Sequence, residues 1–100
     1  MTVNIQFVKM MTRDSLESYV TKKLHKNSKK YDWVIRTDVF FKLDNDPSKN
    51  GKICDMELSL PGPKVFAKSH EKNFEMAVKE TISDIEDQLK KRKGKFSKKP

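Results

Sequence analysis

The residue types able to do chemistry in this chain are its lysines. Lys22, Lys23, Lys26, Lys29 and Lys30 fall within ten residues that hold no acid, and Lys90, Lys91, Arg92, Lys93, Lys95, Lys98 and Lys99 crowd the stretch from Gln88 to Pro100, again without an acid. Ammonium and guanidinium groups stay charged at neutral pH, so clusters of them neutralise phosphates and release counterions rather than move protons. Twelve of the 22 basic residues sit in these two stretches while the net charge is +8, so the remainder of the chain is net acidic and the basicity is local. A sequence pI near 9.6 suits a polyanionic partner.

The other reactive side chains form no catalytic pattern. His25 lies among the lysines and His70 near a strand end, neither beside a local Cys, Ser or Asp arrangement that would make a nucleophile. Cys54 and His70 give no zinc spacing, since structural zinc sites bring four ligands in close pairs. None of the three glycines sits in a phosphate loop between a strand and a helix. The reading is of a binding protein, not an enzyme, with no cofactor and no metal. A single cysteine excludes an internal disulfide and fits a reducing compartment, and no apolar run approaches the ~20 residues of a membrane span, so a cytoplasmic location is expected.

The elements that must hold these lysines follow from periodicity. Thr2 to Phe7 alternates apolar and polar residues as a half-buried strand does. Thr12 is the expected cap of a helix from about Arg13 to Tyr31, with Leu16, Tyr19, Val20, Leu24 and Tyr31 on one face and Lys22, Lys26 and Lys29 on a stripe beside it. A β-branched and aromatic run from Ile35 to Leu43 predicts the second strand, and the turn formers from Asp44 to Gly51 predict a hairpin into a third at about Lys52 to Leu60. Pro61-Gly62 suits a type II turn into a short fourth strand, Val65 to Ser69. From about Asn73, Phe74, Val78, Ile82, Ile85 and Leu89 make the apolar stripe of a last helix, with Gly94 as its expected end.

The order β-α-β-β-β-α predicts an α+β (α/β) fold, a four-stranded mixed sheet with two helices packed on one face. A right-handed crossover makes the first two strands parallel, and the short turns make the later pairs antiparallel. Residues 1–93 are expected to form one domain and residues 94–100 a flexible basic tail. Tyr19, Tyr31, Trp33, Phe40, Phe66 and Phe96 are aromatic rings that could stack on bases, although those in strands and on the first helix are more often core. Phe96, in the tail, has no core to enter.

This arrangement resembles the ribosome hibernation-promoting factors, also called ribosome-associated inhibitor, light-repressed or sigma-factor modulation proteins. The resemblance runs over nearly the whole chain, through Val3-Asn4-Ile5-Gln6, Lys22-Lys23-Leu24-His25-Lys26, Val39-Phe40-Phe41-Lys42-Leu43, Leu60-Pro61-Gly62, Phe74-Glu75-Met76-Ala77-Val78 and Gln88-Leu89-Lys90-Lys91. It implies a domain that binds the small ribosomal subunit between head and body, in the channel of mRNA and the A- and P-site tRNAs, and works by occupancy. Carried over residue by residue, the rRNA contacts would be Lys22, Lys23, Lys26, Lys29, Lys30, Lys90, Lys91, Arg92 and Lys93. Long members add a domain that pairs ribosomes; this chain stops before one, as a short form would, and is expected to be monomeric off the ribosome.

One departure stands out. Where relatives often carry basic residues in the middle of the last helix, Glu80, Asp84 and Asp87 form an acidic stripe. Either it pairs with the lysines of the first helix, or the rRNA contact shifts to the helix end, which is the favoured reading because exposed pairs are worth only ~0 to 1 kcal/mol. Two other classes stay open: a general binder of double-stranded RNA that reads A-form geometry, and a protein-interaction adaptor using the open sheet face.

Overall fold

The structure, a computed structural model, describes residues 1–46 and 51–97, with side chains as far as Gly94. The elements are β1 (Thr2–Phe7), α1 (Asp14–Lys30), β2 (Arg36–Leu43), β3 (Lys52–Ser59), β4 (Val65–Glu71) and α2 (Phe74–Ser97). They form one sheet in the order β1-β2-β3-β4, with β1 parallel to β2 and the other two pairs antiparallel. The expected α+β fold and its strand directions are therefore those observed.

Alternation decides which face of the sheet is covered. Val39 and Phe41 of β2, Cys54, Met56 and Leu58 of β3, and Val65 and Ala67 of β4 point inward and are buried. Leu16, Val20 and Leu24 of α1 meet them, as do Phe74, Ala77, Val78, Ile82, Ile85 and Leu89 of α2, so both helices lie on the same face. Phe41 is the ring at the centre: it stacks on Phe7 at 5.3 Å and meets Phe74 edge-on at 5.3 Å. Such pairs add about 0.5–1.5 kcal/mol each beyond the area they bury. Thr81 ties α2 to the sheet, its buried hydroxyl 2.7 Å from the Ala77 carbonyl oxygen and 3.3 Å from that of Cys54.

Three boundaries differ from expectation, each for a local reason. The cap of α1 is Arg13, without a side-chain cap hydrogen bond; Thr12 stands one residue too early to reach the first free N–H groups. β4 runs two residues past Ser69 because it keeps pairing with β3, Ile53 opposite His70 and Lys52 opposite Glu71. Gly94 does not end α2, which continues to Ser97; no atom lies within 4 Å of where its Cβ would stand. Asn73 caps the other end, its Oδ1 accepting from the Met76 N–H at 2.8 Å.

Both expected strand pairs, β2 with β3 and β3 with β4, are antiparallel neighbours. Asp44 N–H donates to the Gly51 carbonyl at 3.0 Å, closing the base of the β2–β3 hairpin, whose residues 47–50 lie outside the described residues. Gly62, with φ of 89°, adopts the left-handed backbone that glycine enters without strain, within the connection from β3 to β4. The expectation of a flexible tail falls partly on residues 98–100, and that for Phe96 on its side chain; both lie outside what is described.

Candidate nucleic-acid interface

The parallel β1–β2 crossover sends α1 and α2 in the same direction, so their basic ends come out at one end of the sheet. Lys22, Lys26, Lys29 and Lys30 are exposed on α1, as are Lys90, Lys91 and Lys93 on α2; Lys23 and Arg92 are half-buried. The two groups meet through Lys93. Its ammonium lies 5.7 Å from the centroid of the buried Tyr31 ring and 3.5 Å from the Lys30 carbonyl oxygen, which caps the negative end of α1.

Arg92, one turn-flank away, is committed elsewhere. Its guanidinium donates to the Pro61 carbonyl at 3.1 Å and to that of Pro63 at 3.0 Å, so the end of α2 is clamped to the β3–β4 turn. Gln88 repeats the contact one turn back, donating to the Phe66 carbonyl at 2.8 Å. A fork of donors already on two carbonyls positions the helix that carries Lys90, Lys91 and Lys93.

The acidic stripe does not face α1. Among the described residues, the four ion pairs are Arg36–Asp38, Lys42–Asp55, Lys64–Glu57 and His70–Asp44, none of which uses Glu80, Asp84 or Asp87. Glu80 instead meets Glu71 at the end of β4; that hydrogen bond, then desolvation and the repulsion between the two carboxyls, holds the Glu80 carboxyl above its usual range. The side of α2 that faces α1 carries Lys79, Ile82 and Glu86, which with Lys23, Lys26 and Asn27 line a cleft of about 230 Å³. Lys79 was missed in the sequence because it stands alone, although its spacing of three from Ile82 puts it on the flank of the apolar stripe.

A second depression of about 290 Å³ adjoins this cleft, lined by Tyr19, Lys22, Lys23 and Lys26. The Lys23 ammonium sits 5.5 Å from the Tyr19 ring centroid. Two side-chain atoms along this groove, the Tyr19 hydroxyl and the Asn27 amide nitrogen, are buried without a hydrogen-bond partner.

The open sheet face is different in kind. Asp38, Asp55 and Glu57 are each paired with a basic neighbour, leaving an aromatic surface at Phe40 and the 60% exposed Phe66. Phe66 is thus an exception to the expectation that strand aromatics are core, because its strand position points outward. The Arg36 hydrogen bond, more than the one from Asn4, holds Asp38 below the usual carboxylate range.

Nucleophilic chemistry finds no support at Cys54. Burial pushes its thiol up to about 12, so the reactive thiolate is absent at neutral pH. Among the described residues, no group of three or more His, Cys, Asp and Glu side chains could hold a metal ion, and no helix is long and apolar enough to cross a membrane.

Comparison with known proteins gives a consistent result. The family model described as Sigma 54 modulation protein / S30EA ribosomal protein matches residues 3–97. Among solved structures, a ribosomal subunit interface protein from Coxiella burnetii is 23% identical with a TM-score of 0.84, the match covering 94% of this chain and 99% of that one. The Protein Y N-terminal domain of Thermus thermophilus is 19% identical with a TM-score of 0.77, covering 91% and 98%. At these identities the two structures establish the likeness of fold. None of the curated proteins compared with the chain matches it.

Proposed function

The chain belongs to the Sigma 54 modulation protein / S30EA ribosomal protein family, a ribosome-associated family that includes the hibernation-promoting factors, and from that premise we propose that it silences translation by occupying the small subunit. It docks on rRNA between head and body, where mRNA and the A- and P-site tRNAs would lie, in the cytoplasm of cells whose growth has slowed. It does so without chemistry, as a monomer when off the ribosome.

The observation that carries this reading is the convergence of two basic segments at one end of the fold, joined by Lys93 over Tyr31. Lys22, Lys23, Lys26, Lys29 and Lys30 supply the phosphate contacts of α1, and Lys90, Lys91 and Lys93 those of α2. Arg92 acts through them as a positioning residue, because its donors hold the β3–β4 turn. The acidic stripe, turned from α1, leaves the grip to the helix ends.

Competition tests the proposal. Protein bound to purified small subunits should be displaced by mRNA with initiator tRNA, and should protect rRNA of the decoding region from chemical modification. Equal affinity for free duplex RNA, with no protection of that region, would overturn it in favour of a general RNA binder.

A further inference from the structure

We propose that the groove between α1 and α2 is the track of one RNA strand, with Tyr19, Asn27 and Lys79 as contacts beyond the exposed lysines. This rests on the RNA-binding reading above and assigns the path that the backbone takes. Buried polar atoms are almost always paired, and each exception asks for a missing partner. Here the two exceptions belong to residues of adjoining depressions that share Lys23 and Lys26: the Tyr19 hydroxyl, on the flank of α1, and the Asn27 amide nitrogen, in the cleft between α1 and α2; each can donate and each has basic neighbours. Asn27 also borders an apolar recess beneath Tyr31, Leu58 and Leu89, but at about 10 Å³ that space is at the lower limit for a single water and offers it few polar partners.

Spacing selects the ligand. Tyr19 and Asn27 are eight residues apart, about 12 Å along the helix, too far for one phosphate group to meet both. A free anion would fill one seat and leave the other empty, whereas a polymer with repeated phosphates fills both. The two adjoining depressions measure about 230 and 290 Å³. Lys23 and Lys26 belong to both parts, and Lys79 stands opposite on α2, so the charges of a single backbone would be met along its path. Glu86 is the one acid in the lining and sets a limit to the track at that point. Both unpaired atoms lie below the surface. A strand reaches them as the flexible stems of Lys23 and Lys26 move aside, and the ammonium groups of those stems then meet the phosphates.

The test measures binding of a single-stranded oligoribonucleotide and of small subunits by Tyr19→Phe, Asn27→Ala and Lys79→Gln. Each should weaken both by about 2- to 10-fold, the yield of one hydrogen bond or phosphate contact. Tyr19→Phe should also raise Tm, because it removes a buried unpaired hydroxyl, so its weaker binding cannot be a loss of fold. Lys79→Gln, at an exposed site, should flatten the salt dependence by about 0.7, while the two neutral sites leave it unchanged. Wild-type affinity in all three variants would overturn the track, and would leave the helix-end reading standing if wild-type protein still pellets with subunits. If wild-type protein fails to pellet, the proposed function falls, and the oligoribonucleotide arm still judges the groove. Inorganic phosphate should compete no better than chloride at equal ionic strength; selective displacement by phosphate would overturn the strand in favour of a free-anion seat.

Discussion

Replacing Arg92 separates a residue that touches RNA from one that aims the residues that do. Its two donors reach Pro61 and Pro63 at 3.1 and 3.0 Å, and a Cβ on Gly62 would come within 3.2 Å of the same guanidinium. Hydrogen bonds from a charged donor contribute about 1.5–3 kcal/mol when well sheltered. At this half-buried site, where solvent competes, the pair together contributes about 1–2 kcal/mol. For a domain of this size that is a fall in Tm of roughly 4–12 °C for Arg92→Gln. Arg92→Lys is the sharper variant. It keeps the charge but replaces a planar fork by a point donor, so it should lose about half of that stability, and subunit affinity with it, without changing the salt dependence. Thermal melts and a salt titration on the same preparations read both. If Arg92 met a phosphate instead, Arg92→Lys would keep full stability and affinity, and Arg92→Gln would flatten the salt slope by about 0.7–0.9. That pair of results would refute the clamp.

Three further outcomes follow from the geometry. Glu80, raised above its usual range by Glu71, binds its proton more tightly folded than unfolded; the resulting stability is present at low pH and lost as pH rises through the raised value. Glu80→Gln should therefore raise Tm slightly at neutral pH, with the gain vanishing in acid where both carboxyls are protonated, as melts across pH would show. Gly94→Ala should add helicity in far-UV circular dichroism and stabilise by up to about 1 kcal/mol, because the helix passes through that position with open space around it; a loss would mean that the glycine is a helix stop. Thr81→Val removes the hydroxyl between Ala77 and Cys54 and should cost about 0.5–1.5 kcal/mol in denaturant unfolding with subunit affinity unchanged.

Periodicity made most of the fold legible. Alternation in β2 and β3 and the stripe of Phe74, Val78, Ile82, Ile85 and Leu89 each reflect burial against a single sheet face, which sequence records directly. The helix limits were less so. Gly94 looks like a stop because glycine favours one, but a helix end also needs the left-handed turn that nothing in the neighbouring sequence specifies. The site was legible as charge and not as geometry. Lysine runs show where positive potential gathers, yet Arg92 differs from Lys93 only in which carbonyls lie near it, and those belong to Pro61, Pro63 and Lys30, far away in the chain. Lys79 and Asn27 join the site only when α1 lies against α2. The acidic stripe could be placed on the helix from sequence, but its partner Glu71 required the sheet.

Co-sedimentation with purified small subunits over a salt series, comparing wild-type protein with the Lys90→Gln, Lys91→Gln, Lys93→Gln triple variant, addresses the central claim most directly. With about six phosphates neutralised, log affinity should fall against log salt with a slope near −4 to −5, and the variant should be flatter by about 2 to 3 while keeping its fold by far-UV circular dichroism, with a small fall in Tm from the lost Lys93 contacts to Tyr31 and the Lys30 carbonyl. No pelleting at low salt, or the same slope in both proteins, would contradict the account.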